Sequence, residues 1–161
     1  MERVMSEEDF IVSKTDTKGR ITYVNKIFMT MAGYSEEELL GKPHNIIRHP
    51  DMPKAVFKLL WERITHKKEI FAYVINKGKN DDHYWVYANI TASTDPRGNI
   101  IGYYSVRRKP NPQALSIIKP LYAKMLDAEH RGGMDASMKL LNDILHEKGI
   151  SYDELVIDLQ K

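Results

Sequence analysis

Five short stretches of the chain read as β-strands, and most of the rest carries apolar residues at three- and four-residue intervals. Phe10 to Ser13 is β-prone, Thr15-Asp16-Thr17-Lys18-Gly19 is a turn cluster, and Ile21 to Val24 alternates, so the two runs predict a hairpin. Asn25 stands where it can cap a helix carrying Ile27, Phe28 and Met31. Ser35 with Glu38 predicts a capping box for a very short helix, with Gly41 past its end. A loop follows, and after Pro53 the positions Val56, Leu59, Leu60 and Ile64 predict an amphipathic helix. Ile70 to Asn76, His83 to Thr91 and Ile100 to Val106 then read as three strands of an antiparallel meander, separated by polar turns.

Beyond Arg107 the period changes. Asn111-Pro112 opens a helical pattern in which Ile117, Ile118, Leu121, Tyr122, Met125 and Leu126 share a face, and Gly132-Gly133 ends it. A second helix from Met134 carries Met138, Leu141, Ile144 and Leu145 to Gly149, and Ser151 with Glu154 caps a last short one. The order of elements predicts an α+β class: a five-stranded antiparallel sheet with helices on one face over residues 9–109, then a helical appendage over 112–161.

Composition narrows the function classes. Hydrophobic residues at 42% and charged residues at 29% are globular values, which sets disorder aside. No window approaches the roughly 20 apolar residues of a membrane span, so no direct membrane insertion is expected. The absence of cysteine removes disulfides, thiolate metal sites and cysteine nucleophiles, and fits a reducing cytoplasm. Both signs of charge are scattered to a net of +2, which points to no nucleic-acid partner.

The densest chemistry is Arg48-His49-Pro50-Asp51-Met52-Pro53, a cation, an imidazole and a carboxylate within four residues. The run Asn80-Asp81-Asp82-His83-Tyr84-Trp85-Val86 leads into a strand, and the two together point to a small-molecule pocket between a loop and a sheet. Arg48 offers a fork of donors for a phosphate or a ring carbonyl, or else pairs with Asp51 to pin the loop. Strand parity puts Asn76 on one face with Ile70, Ala72 and Val74, and puts Arg107 with Ser105 and Tyr103. Trp85 falls on the opposite face from Val86, Ala88 and Ile90, where the appendage or a partner would cover it, and Trp61 reads as a core or flanking aromatic. An enzyme would have to recruit His49, Asp51 and His83, which lack the spacing of any catalytic or metal signature, so no enzymatic activity is expected.

Asp16 to Asn25, Gly33 to Lys42 and Tyr84-Trp85-Val86 resemble the landmarks of a PAS domain, the five-stranded sensor module of bacterial signalling proteins. Within it, Asn45 to Pro53 together with Lys79 to Val86 resemble the aerotaxis-receptor branch, which binds FAD and reports redox state. The resemblance implies noncovalent FAD held by Asn45, Arg48, His49, Asp51, Ile70, Asn76 and Arg107. Asn76 falls where light-sensing relatives place an asparagine against the flavin edge, and Arg107 where they place a glutamine. Where the branch often has a tryptophan, this chain has Ile70-Phe71. The resemblance further implies a stand-alone PAS protein of a bipartite energy-taxis system, cytoplasmic and peripheral to the inner membrane through a membrane-bound chemotaxis transducer, with self-association into a homodimer as another contact. Two alternatives stay open: a heme b sensor using His44 or His49 as axial ligand, and a PAS interaction module that binds no cofactor.

Overall fold

The computed structural model describes residues 1–161. Its strands are β1 (Glu2–Arg3), β2 (Ile11–Thr15), β3 (Ile21–Val24), β4 (Ile70–Lys77), β5 (His83–Thr94) and β6 (Ile100–Arg108). Its helices are α1 (Lys26–Ala32), α2 (Glu36–Leu39), α3 (Lys54–Thr65), α4 (Pro112–Lys148) and α5 (Tyr152–Gln160), with one 3-10 turn over His44–Ile47. Five strands form the expected antiparallel sheet in the order β4-β5-β6-β2-β3.

One strand more is present than the alternation predicted. β1 pairs with β5 in parallel at His83 and Tyr84. β4 already occupies one side of β5 from His83 to Ile90, and β6 stops opposite Tyr87, so β1 extends the other side past the end of β6. Two residues carry no detectable period. The sheet is therefore mixed rather than wholly antiparallel.

Local signals form the short helices as expected. The Asn25 side chain accepts from Phe28 N, and Gly33 closes α1 in the left-handed conformation. Ser35 with Glu38 and Ser151 with Glu154 both make complete capping boxes. Gly133, at φ 79° and ψ −173°, breaks α4 into two helical halves at the predicted place.

The two faces of the sheet have different covers. On one lie α1, the 3-10 turn and α3, whose Val56, Leu60 and Ile64 are buried. On the other, α4 and α5 cover β4 and β5, and their Ile118, Tyr122, Met125, Tyr152 and Val156 join the main core cluster. Ile117, predicted on the same stripe, is instead 49% exposed. Trp85 is covered by Tyr122 of the appendage, ring centroids 5.9 Å apart.

The appendage also solves an edge problem. Beyond β4 there is no further strand, only a single antiparallel bridge between Asn76 and Arg48, and an open edge of unpaired carbonyls invites aggregation. Tyr122 Oη donates to Tyr73 O at 2.6 Å and Tyr152 Oη to Phe71 O at 2.8 Å, while Ile75 N donates to Met52 Sδ. The same helices hold α3 at both ends. Pro53 offers α3 no side-chain cap, and the Glu129 carboxylate accepts from Lys54 N at 2.9 Å and Ala55 N at 3.1 Å in its place. Near the other end, Arg63 pairs with Asp153 at 2.9 Å.

Candidate functional site

A cavity of about 270 Å³ lies between the sheet and α3. Its sheet wall comes from alternate residues: Val74 and Asn76 on β4, Ala88 and Ile90 on β5, Tyr103, Ser105 and Arg107 on β6, Ser13 and Thr15 on β2. Phe57, Leu60, Trp61 and Ile64 of α3 form the opposite wall. Lys18, Pro43, Asn45 and Arg48 stand at the mouth, where Arg48 and Asn45 are exposed.

Four of the seven residues expected from sequence meet here: Asn45, Arg48, Asn76 and Arg107. Three do not. Ile70 is fully buried in the core beyond the cavity. Asp51 faces a second, open cavity of about 540 Å³ between β5 and α4, shared with His83, Trp85, Tyr122 and His130. His49 lines neither cavity; its Nδ1 accepts from Asp51 N at 3.0 Å and its ring meets the His83 ring edge-on at 5.9 Å. Arg48 pairs with no carboxylate at all; its guanidinium lies over the Phe57 ring at 4.1 Å. The backbone of Arg48 is extended (φ −72°, ψ 126°), and successive side chains of an extended chain point opposite ways.

Arg107 is 3% exposed and has no acidic partner. Its Nη2 donates to Ser13 Oγ at 2.7 Å, its Nη1 lies 3.4 Å from His44 Nε2, and its guanidinium sits over the Phe28 ring at 4.9 Å. Burial lowers its pKa to about 10, with Tyr84 acting the other way. The Nε of Arg107 and the Nδ2 of Asn76 are buried donors with no acceptor in the protein. A desolvated cation and two orphaned donors beside one cavity make a site for a ligand with acceptor atoms or negative charge.

His44 completes the network. Arg107 can only donate, and Ser13 Oγ lies 3.0 Å from the same His44 Nε2, so that nitrogen is the acceptor and the proton sits on Nδ1. Burial, and then the Arg107 charge, depress the His44 pKa to about 3. Ser13 and His44 were not recognised from sequence as partners of Arg107, since they lie 94 and 63 positions away.

The His44 shift has a consequence for stability. The folded pKa lies below the unfolded value of 6.5, so between about 6.5 and about 3 the unfolded chain binds a proton that the folded chain refuses. Stability therefore falls as pH drops through that window and is unaffected above it. Because the ring borders a cavity that admits water, the expected loss is on the order of 1–2 kcal/mol between about pH 6.5 and 4.5. Urea unfolding at both pH values should show a smaller acid loss in His44→Asn than in the unmodified chain, and an equal loss in both would remove His44 as the cause.

Residues 21–107 match the family described as the PAS fold. The chain belongs to the PAS family. It is 39% identical to the aerotaxis receptor of Escherichia coli (strain K12) over 124 residues, which is 77% of this chain and 24% of that protein. It is 24% identical to the nitrogen fixation regulatory protein of Klebsiella pneumoniae over 65% of this chain and 21% of that one. The PAS chain thus spans about a quarter, or less, of the length of these curated relatives. A solved light-oxygen-voltage domain, studied with a flavin analogue, superposes with a TM-score of 0.58 at 26% identity, covering 68% of this chain and 82% of that one. A PAS domain from Colwellia psychrerythraea matches at a TM-score of 0.57 and 19% identity, over 62% and 85% of the two chains, and shares the fold. No helix of this PAS chain is long and apolar enough to cross a membrane, and no cluster of three histidines or carboxylates is arranged to hold a metal ion.

Proposed function

We propose that this PAS chain is a redox sensor that holds FAD noncovalently in the cavity between sheet and α3, and signals through protein contacts to a chemotaxis transducer. The observation that carries the reading is the pair of orphaned donors, Arg107 Nε and Asn76 Nδ2, at the end of an otherwise largely apolar cavity. A flavin ring needs apolar walls and a few donors at its polar edge, and these residues fit it. Likeness to an aerotaxis receptor and to a light-oxygen-voltage domain supports the same ligand class. When bound, a flavin supplies reversible uptake of electrons.

The protein's own residues divide the work. Arg107 supplies positive charge and Asn76 a neutral amide donor at the closed end, while Val74, Ala88, Ile90, Leu60 and Ile64 give the walls their apolar surface. Arg48 serves the mouth, and His49 and Asp51 position the turn from which it reaches there. Output runs through α3, whose cavity-facing side chains and whose appendage clasps at Glu129 and Asp153 lie on one rigid helix. The heme alternative is weaker, because His44 Nε2 already faces the Arg107 cation and Ser13.

Absorbance of the purified chain tests the reading. Protein expressed with ample riboflavin should show the two-banded flavin spectrum and release FAD on denaturation. A Soret band would substitute heme, and colourless protein that gains nothing from added FAD, FMN or riboflavin would leave a cofactor-free interaction module. Arg48→Ala is expected to weaken retention about tenfold, the size of one charge-assisted contact. Unchanged retention would confine Arg48 to its stacking on Phe57.

A further inference from the structure

We propose that His49 is an acid-sensitive latch on the turn over residues 49–52: the neutral ring holds Arg48 toward the cavity, and protonation of the ring lets it go. The proposal rests on the reading of the cavity as a flavin site, because the grip on that ligand is what the latch controls.

The turn is tied at both ends and adjustable only between them. At one end the Arg48 backbone bridges to Asn76 of β4, the residue that carries an orphaned donor in the cavity lining. At the other, Met52 is buried and its Sδ accepts from Ile75 N of the same strand. Inside the turn two bonds converge on one residue, since His49 O accepts from Met52 N at 3.1 Å and His49 Nδ1 accepts from Asp51 N at 3.0 Å. An imidazole that accepts at Nδ1 is neutral and carries its proton on Nε2. The ring therefore closes a turn of the Asx type, with an acceptor that can be titrated.

Protonation makes that acceptor a donor. The Asp51 N–H then faces another N–H, so the Asp51 peptide has to turn away. A replacement acceptor is close by: Asp51 Oδ2 lies 3.9 Å from the same Nδ1, on a side chain that is 69% exposed. Exchange of a backbone bond for this ion pair resets the turn. Arg48, the residue before it, then loses the conformation that sets its guanidinium over Phe57 beside the cavity.

The surroundings of the ring fix the pH at which this happens. Partial burial is the largest influence and disfavours the imidazolium; Asp51 favours it, while His83 of β5 and Lys77 of β4 disfavour it. His83 meets the ring edge-on at 5.9 Å, and Lys77 stands opposite His83 in the sheet, paired with Asp81 at 3.1 Å. Glu2 of β1 and Lys119, Asp127 and His130 of α4 face Asp51 and His83 across the second cavity, which His49 does not line. The net effect holds His49 below its ordinary 6.5, so the latch is shut at neutral pH and opens as the pH falls below that value.

NMR of the flavin-free full chain, between about pH 7.5 and about pH 5, reads the latch directly. The Asp51 amide resonance is expected to move with the same midpoint as the His49 ring. His83→Gln should raise that midpoint by removing a like charge, and Asp51→Asn should lower it by removing an opposite one. FAD added to the same chain should bind several-fold more weakly at about pH 5 than at about pH 7.5, up to about the tenfold of the Arg48 contact. His49→Asn puts a carbonyl oxygen where Nδ1 stands, keeping the turn without the titration, so its FAD affinity should be equal at the two pH values. His44 is present in both chains and drops out of the comparison. An Asp51 amide that ignores the His49 titration, an FAD affinity that is flat with pH in the unmodified chain, or an equal acid loss in His49→Asn would overturn the latch. An amide that follows the ring in a chain that binds no FAD at either pH would sustain the latch and overturn the flavin reading instead.

Discussion

Tyr122→Ala is expected to lower the stability of the chain by about 3–5 kcal/mol, as loss of a large buried aromatic does. Three contributions meet at this side chain. It is 4% exposed in the main core, it covers Trp85, and its hydroxyl satisfies Tyr73 O on the unpaired edge of β4. Truncation therefore opens a cavity and bares an edge carbonyl together. Tyr122→Phe removes only the hydroxyl and should cost about 1–2 kcal/mol, the penalty of one unmet buried acceptor. Urea unfolding of both variants gives the split. If Tyr122→Ala unfolds with the midpoint of the unmodified chain, the appendage is a loosely attached cover and not part of the core.

Arg107→Met is expected to move two quantities in opposite directions. In flavin-free protein it replaces a buried, unpaired cation with an apolar side chain of similar length, which should raise stability by on the order of 1–3 kcal/mol. Ser13 and His44 keep each other as partners after the change, being 3.0 Å apart. Under the proposed function the same substitution removes positive charge from the closed end of the cavity. Reduction adds negative charge there, so the midpoint potential should fall, by about 30–60 mV for a two-electron couple, and flavin affinity should weaken about tenfold. Redox titration and chemical unfolding read the two arms. A variant that is less stable, with unchanged potential and affinity, would make Arg107 a structural member of the Ser13 and His44 network.

Such opposed effects are what a functional site does to a fold. The protein tolerates an unsatisfied Nε and an unsatisfied Asn76 Nδ2 in one place, each of which costs stability until something with acceptors arrives, and beside them stands His44, whose refused proton costs stability only below about pH 6.5. The second cavity, beside His83 and His130, carries no comparable tension, since its histidines sit among the carboxylates Glu2, Asp51 and Asp127.

Much of this architecture was legible in the sequence wherever the cause is local. Capping boxes at Ser35 and Ser151, the turn glycines and the break at Gly133 depend on neighbours within four residues, and all stand where the pattern puts them. Strand parity, fixed by the period of two, correctly grouped Asn76 with Val74 and Arg107 with Ser105 and Tyr103, and set Trp85 on the other face. Tertiary structure decided the rest. Whether Arg48, His49 and Asp51 converge depends on how an extended loop lies over two cavities, and here Arg48 reaches one, Asp51 the other and His49 neither. The Glu129 cap on α3, the Ser13 hydroxyl beneath Arg107 and the tyrosines closing the β4 edge join positions 49 to 94 residues apart. No period in the chain encodes such contacts, because they follow from where whole elements pack and not from the preferences of any one segment.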